Sequence, residues 1–314
     1  MNEMTMEPAT TEEEGGSPLF RILGFGFLFL ALLVVFTLVK VPQPKIHAWL
    51  LGTLNQQMNP MGIQISAEKG HIELGLGLKY DMTGVQLTMM DTQKVMKFSH
   101  LEVAPNVIGP LLQGKVGARF LLEQGAGSIR GAVKAKNDEF DVDIQLEDLN
   151  LGKMGVLPFA LGLDGTADVK GTISLSGSPK EASAMTGKIQ LNLAKIVIDA
   201  QKFKGFDIPR TAIADGAFDI DVSGGKATLT TARLGKPGGA DDLQGSASGD
   251  IKLNKLLDNS EANLHLKFGF SERYRQEKTI SLLDSLLGMF KKPDGSFGMR
   301  LSGPLYSVQP APDS

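Results

Sequence analysis

An uninterrupted apolar run behind a polar start sets the first part of the chain apart from the rest. Residues 22–39 carry no charged side chain, and Arg21 and Lys40 bound them. A helix of about 18 apolar residues can cross the hydrocarbon core of a bilayer. The pattern predicts a flexible tail over residues 1–18 and a membrane-spanning helix over residues 19–40, with the anchor residues Ile22, Leu23, Phe27, Leu30, Leu33, Val35 and Leu38.

A cleaved secretory signal peptide is the alternative interpretation of this run. Signal peptides begin with a basic segment and end at a small-residue cleavage site. Here the preceding residues are acidic and the run ends in Lys40, Val41 and Pro42, so an uncleaved anchor is favoured. Cations lie on both sides of the run, at Arg21 and at Lys40 and Lys45, so charge alone leaves the orientation in the membrane open.

A short amphipathic helix is predicted next, inside a juxtamembrane linker over residues 41–62. Ile46, Trp49, Leu50 and Leu54 recur at helical spacing. Trp49 has two interpretations, because an indole suits both the bilayer interface and the core beneath a first sheet.

From residue 63 onward the apolar residues alternate with polar residues or glycine. This period of two is clearest at 72–79, 141–147, 188–193, 218–222 and 264–270. Such alternation is typical of strands with one apolar and one solvated face. Turn signals rich in Gly, Pro, Asn and Asp separate the strands, and no alternation of strands with helices is present. The sequence predicts a mainly β protein with one antiparallel β domain over residues 63–314.

A few helical segments interrupt the strands, at 105–113, 152–157 and 277–292. In the last of these Ile280, Leu283 and Leu287 share one helical face. We expect this helix to pack across the apolar face of the sheet. A helix that binds a partner or lies on a membrane surface is the alternative.

Composition narrows the class of protein. The 37 glycines among 314 residues exceed the usual share of about 7%, as in a turn-rich β protein. With no cysteine, disulfide scaffolds and thiolate metal sites are excluded. A net charge of -3 and 6% aromatic residues give neither the positive field nor the stacking surfaces that nucleic-acid binding uses. We therefore expect no nucleic-acid partner.

No chemical motif is complete. The glycines at 125, 127 and 131 miss the dinucleotide-binding spacing by one residue, and Ala247 stands where a nucleophile elbow needs serine. The acidic residues over 138–148 could supply oxygens to a calcium ion, but they lack the glycine and the spacing of a calcium-binding loop. Asp141 and Asp143 alternate as on a solvated strand face, which is the favoured interpretation. The histidines are scattered singly, without paired-ligand spacing. We predict no catalytic, cofactor-binding or metal-binding residue and a protein that is not an enzyme; the four histidines are His47, His71, His100 and His265.

Three stretches carry a family resemblance. They are residues 145–151, the glycine-punctuated residues 163–177, and residues 298–305, which end in a Gly-Pro-Leu strand terminus. With the anchor before them, they resemble the GspN family of type II secretion systems and, more distantly, periplasmic AsmA-like proteins. The resemblance implies a single-pass inner-membrane protein with a cytoplasmic N-terminus and a periplasmic β domain. In that family the protein acts in protein export as an accessory component, with other type II secretion subunits as partners.

The AsmA-like relatives imply a second, alternative function. Their long twisted sheet forms an open groove whose apolar inner face receives phospholipid acyl chains. A closed sandwich, in which the same residues pack a core, is equally compatible with the pattern. If the groove forms, the residues expected to line it are Leu74, Leu76, Leu78, Leu191, Leu193, Leu264, Leu266 and Phe268.

Overall fold

The structure is a computed structural model. It describes residues 42–74, 78–106, 114–178, 180–203, 205–236 and 239–313. The predicted tail, the membrane-spanning helix with its anchor residues, and Leu76 lie outside these ranges. Among the described residues, no helix is long and apolar enough to span a bilayer.

Strands make up most of the described chain, which confirms the mainly β class. The helices are α1 (Gln43–Met58), α2 (Leu151–Met154), α3 (Val156–Leu161), α4 (Glu272–Arg275) and α5 (Lys278–Leu286). The strands are β1 (Ile63–Ser66), β2 (Lys69–Leu74), β3 (Leu78–Met89), β4 (Val95–Pro105), β5 (Val116–Gln124), β6 (Gly127–Lys136), β7 (Glu139–Asn150), β8 (Gly165–Ser178), β9 (Glu181–Ile198), β10 (Gln201–Phe203), β11 (Phe206–Ile208), β12 (Thr211–Ser223), β13 (Lys226–Leu234), β14 (Leu243–Lys252), β15 (Glu261–Phe270), β16 (Phe297–Pro304) and β17 (Gln309–Pro312).

One sheet of 15 strands contains every strand of the described residues except β10 and β11. Strands consecutive in sequence pair with each other, with two exceptions. β1 pairs with β3 beside β2, and β9 pairs with β12 across the β10–β11 hairpin. All pairs are antiparallel, as predicted. The sheet is continuous, and the described strands do not divide into the two sheets of a closed sandwich.

One predicted strand is wrong. The alternation at 72–79 was expected to form a single strand, but Leu74 ends β2 and Leu78 begins β3, and the two residues pair across the antiparallel ladder. Alternation of apolar and polar residues does not by itself distinguish one long strand from two short paired strands.

The register gives the sheet two different faces. One residue from each of 13 strands forms a cross-strand row without a charged member, here called the apolar row. Its members are Tyr80, Val103, Phe120, Gly131, Ile144, Ile173, Ile189, Ile220, Leu229, Gly249, Leu264, Leu301 and Pro310.

The neighbouring row lies on the opposite face and is mostly polar. Successive side chains of a strand point to opposite sides, so this polar row contains the residue next to each member of the apolar row from β4 onward. It consists of Ala104, Arg119, Ala132, Asp143, Ser174, Lys188, Asp221, Thr228, Asp250, Asn263, Ser302 and Gln309.

The two buried clusters lie along one end of the strands, here called the helical rim, and Ala182, Val222, Leu253 and Ala262 are buried near the other end. The connections at this rim contain α2 and α3, the β10–β11 hairpin, and α4 and α5. These elements cover the adjacent part of the apolar face. The main cluster is Met82, Val85, Phe98, Leu149, Met154 and Val169, and a smaller one is Ala167, Ile196 and Ile213.

Helix α1 confirms the helix predicted within residues 41–62. It packs through Leu51 against the main cluster and protects the first edge of the sheet. The Asn55 side chain donates to the Ile65 carbonyl at 2.8 Å and accepts from the Ile65 N–H at 2.6 Å, and Gln43 accepts from the Ile72 N–H. Trp49 is 67% exposed, so its interpretation as a core anchor is wrong.

The last edge strand, β17, is short and carries Pro310 and Pro312. Proline cannot donate to a strand ladder, and short proline-containing edges resist pairing with another chain. Together with α1 at the other edge, this limits extension of the sheet by an added strand.

Candidate apolar groove

A groove of about 420 Å³ lies on the apolar face where β12 to β15 run side by side. This volume falls within the usual range of ligand sites, about 300–1,000 Å³. Large apolar side chains form its walls: Phe218, Leu234, Leu243, Leu266, Phe268 and Phe270.

Small residues on the central strand create the groove. On the apolar face β14 presents Gly245, Ala247 and Gly249, each paired with a large residue of β15. Ala232 on β13 is also small. A strand of small residues between strands of Leu and Phe leaves a trough, because the side chains that would fill it are missing.

An aromatic cluster closes the groove toward the helical rim. The rings of Phe268 and Phe297 stack at 5.2 Å between centroids, and Phe270 lies 5.8 Å from Phe297 and 6.0 Å from Tyr274. Phe297 is fully buried. The Tyr274 hydroxyl hydrogen-bonds to that of Thr211, and burial raises the pKa of Tyr274. This end of the groove is therefore a fixed wall.

The charged residues beside the groove are engaged on the other face. Arg233 lies 3.0 Å from Asp215, and Lys267 lies 2.8 Å from Asp294. The Lys267 ammonium holds the pKa of the Asp294 carboxyl well below its usual range. These pairs leave an apolar interior suited to hydrocarbon and offer no group there for proton transfer.

Away from this groove the apolar face continues as the apolar row. Twelve of its members are partly buried, Pro310 is exposed, and none is fully buried. With strands about 4.8 Å apart, the twelve intervals between its 13 members span about 58 Å. At Gly131 an added Cβ would collide with the Phe120 ring, so Phe120 fills the gap that the glycine leaves.

The predicted lining residues separate into three groups. Leu266 and Phe268 line the groove, Leu264 belongs to the apolar row, and Leu191 pairs with Phe218 beside the groove. Leu193 packs against both buried clusters. Leu74 and Leu78 pair with each other near the first edge of the sheet, far from β14 in strand order, so the structure does not bring the set together.

Sequence reasoning missed four wall residues, Phe218, Leu234, Leu243 and Phe270. The signal that could have found the groove is the small-residue alternation from 245 to 249, between two strands of large apolar residues. In sequence the same stretch resembles an incomplete nucleophile elbow, which conceals its alternation of small residues.

Three histidines predicted to stand alone are bonded to carboxylates, and the first of them, His71, lies 2.9 Å from Glu73 of the same strand. His100 bridges Asp81 at 2.7 Å and Glu123 at 3.0 Å on the polar face, and Asp81 raises the pKa of His100. His265 lies 2.7 Å from Asp313 and lowers the pKa of that carboxyl. The contacts of His100 join three neighbouring strands, and the contact of His265 joins β15 to the residue that follows β17. Among the described residues, no group of three or more His, Cys, Asp or Glu side chains is arranged to hold a metal ion.

A second concavity, about 590 Å³, lies over β4 to β8. It combines both signs of charge, with Arg119 and Arg130 beside Glu102 and Asp143. Mixed charges on exposed strands are typical of a solvated face. The groove over β14 is the stronger candidate site because exposed apolar surface is costly unless it binds something.

Comparisons with protein-family models, with curated proteins and with solved structures found no match to this chain. The function is therefore inferred from the groove and the sheet themselves.

Proposed function

We propose that this protein binds lipid acyl chains along the apolar groove and the apolar row. The observation that carries the proposal is the uncharged, partly exposed row that crosses 13 strands. Soluble proteins rarely leave contiguous apolar surface of more than a few hundred Å² uncovered unless it binds a partner or a ligand.

The dimensions support hydrocarbon chains as the ligand. The hydrocarbon core of a bilayer is about 30 Å thick, so one extended acyl chain spans about 15 Å. The apolar row, about 58 Å long, has room for several chains end to end. Each buried methylene contributes about 0.8 kcal/mol, so even partial coverage of a chain gives substantial affinity.

The proposal includes the shape of the sheet and its position at a membrane. The sheet is an AsmA-like twisted groove, and a single inner-membrane helix over residues 19–40 places the β domain in the periplasm, close to a source of phospholipid. The predicted anchor and the sequence resemblance support this arrangement.

The test uses the full chain and a phospholipid with a photoactivatable acyl chain. Crosslinks mapped by mass spectrometry are expected in β12 to β15, in addition to any in residues 19–40. Ala247→Trp fills the groove and is expected to reduce the β12–β15 crosslinks at least about tenfold, the cost of about two lost methylene burials.

Ser248→Trp is the matched control. Ser248 is the next residue of β14, is exposed and pairs with His265 on the polar face. Crosslinking should be unchanged in this variant. Undiminished β12–β15 crosslinking in Ala247→Trp, with the fold intact by circular dichroism, would reject acyl-chain binding in the groove.

Assembly with other type II secretion subunits is the second candidate function. A specific surface favours it: exposed Leu256 and Leu257 lie next to exposed Leu305 and Tyr306, and the Leu305 N–H donates to the Ser260 carbonyl at 2.9 Å. Apolar clusters that include tyrosine are typical of protein interfaces.

An in-frame deletion in the native organism separates the two functions. Loss of exported protein with unchanged outer-membrane permeability to a hydrophobic dye would favour secretion. Raised permeability with normal export would favour lipid binding. Leu257→Asp should reproduce only the secretion defect, and Ala247→Trp only the permeability defect.

A further inference from the structure

A second apolar surface lies at the helical rim, outside the groove. Leu282, Leu286 and Met289 are 54%, 62% and 69% exposed. Their spacing of four and three residues places them on one side of α5 and the turn that follows it. They form a stripe that faces solvent.

The opposite side of α5 holds this stripe in a fixed orientation. Ile280 is buried, and Asp284 accepts a hydrogen bond from Lys291 at 2.6 Å and lies 3.8 Å from Arg275. The helix contacts β11, and the turn after it contacts β16 and β17. The helix therefore lies at the helical rim. The prediction that it packs across the apolar face of the sheet is wrong for the three residues of the stripe, which face solvent.

Basic residues border the stripe at the start of α5. A concavity of about 630 Å³ between the β10–β11 hairpin and α5 is lined by Lys202, Arg210 and Lys278, together with Asp207 and Glu277. Lys202 lies 3.9 Å from Asp207. Arg210 and Lys278 form no ion pair with any residue that the structure describes. At the other end of the stripe stands Lys291.

We propose that α5 and the β10–β11 hairpin dock on the surface of an anionic phospholipid bilayer. A helix with an exposed apolar stripe and flanking cations is suited to the bilayer interface, where the apolar side chains enter the acyl boundary and the cations meet lipid phosphates. Exposed Phe206 on β11, which α5 contacts, extends the apolar part of the surface. This proposal goes beyond acyl-chain binding and does not depend on it, because the groove and the stripe share no residue.

The lack of cysteine allows a direct test in the full chain. Leu286→Cys carries an environment-sensitive fluorophore, and the protein is reconstituted into vesicles of phosphatidylcholine with phosphatidylglycerol, or of phosphatidylcholine alone. Spin-labelled phospholipid then quenches any fluorophore at the interface. Ser248→Cys, on the polar face of the sheet, is the matched control.

We expect strong quenching at 286 in anionic vesicles, weak quenching in neutral vesicles, and weak quenching at 248 in both. Lys278→Gln and Arg210→Gln should each weaken quenching at 286 about fivefold, because each removes one cation near the anionic surface. Equal quenching at 286 in neutral and anionic vesicles, or quenching no stronger than at 248, would overturn the proposal. A fluorescence change at 286 that depends on protein concentration in detergent would also overturn it, because it would identify a second copy as the occupant.

Discussion

The helical rim and the apolar row use the same kind of apolar side chain for different purposes. At the helical rim, Val85 and Phe98 are buried in the main cluster, to which α1, α2 and α3 contribute side chains. In the apolar row, Phe120, Ile144 and Ile173 point to the same face and stay partly exposed. The two regions have the same strand pattern and differ in whether another part of the chain covers them. An apolar face becomes a core only where a connection is long enough to fold over it.

This comparison assigns stability to one band of the sheet and ligand binding to the other. Buried apolar groups contribute most to the free energy of unfolding. Partly exposed groups contribute less to the free energy of unfolding, and their remaining apolar surface can be buried by a ligand. Two substitutions on the same strand, one in the buried band and one in the apolar row, should therefore separate the two effects.

The largest difference is expected between Val169→Asp and Ile173→Asp. Both residues lie on β8, four apart on the same face, but Val169 is buried in the main cluster and Ile173 belongs to the apolar row. A buried unpaired charge should cost more than about 4 kcal/mol at Val169, against about 1–2 kcal/mol at Ile173. Urea unfolding measures both free energies. Similar losses at the two positions would break the distinction between the bands.

A second difference is expected between two aspartates. The Asp242 side chain is 2% exposed, accepts from the Ala212 N–H at 2.9 Å and lies 2.6 Å from Arg273 at the helical rim. Asp221 belongs to the polar row and is exposed. Asp242→Ala should cost about 1–3 kcal/mol because it leaves a partly buried N–H unpaired, and Asp221→Ala less than about 0.5 kcal/mol. Thermal unfolding of both variants checks this, and an equal shift would contradict it.

The smallest expected effect concerns pH. Bonding to Asp81, and more weakly to Glu123, raises the pKa of His100 above its ordinary value of about 6.5. The charged form is stabilised in the folded protein, so this contribution is complete below about pH 6.5 and is lost as the pH rises through the folded pKa. His100→Gln should flatten the decline in stability that begins above about pH 6.5. Parallel profiles for the two proteins would show that His100 contributes nothing.

Sequence reasoning recovers the strands whose alternation is regular. The patterns around Ile144, Leu191, Ile220 and Leu266 correspond to β7, β9, β12 and β15. Tight turns at Asn137 and at Gly224 follow from residues that tolerate positive φ.

Bulges are what the alternation could not show. Asp148 and Lys195 adopt positive φ, and the register shifts beside them. As a result Leu146 and Leu149 both pack with the main cluster, although they are three residues apart. A strict period of two would place one of them on the polar face.

Sequence reasoning also could not predict which part of the apolar face is covered, because cover depends on where the connections fold in space. Residues 152–157 are predicted to form a turn or two of helix, and nothing in their local pattern shows that Met154 is buried. Likewise, the contacts of His100 with Asp81 and Glu123 join three strands, and cross-strand neighbours follow from register alone.

A cysteine-accessibility scan along the two rows is the most direct test of an open, ligand-binding face. Single cysteines replace Ile144, Ile173 and Ile220 of the apolar row, and Ser174 and Thr228 of the polar row, in the otherwise cysteine-free full chain. Each variant reacts with a water-soluble maleimide before and after loading with phospholipid. The apolar-row cysteines should react in the lipid-free protein and become protected on loading, while the polar-row cysteines react equally in both states. Apolar-row cysteines that are unreactive without lipid, or that are unaffected by it, would contradict an open face that binds acyl chains.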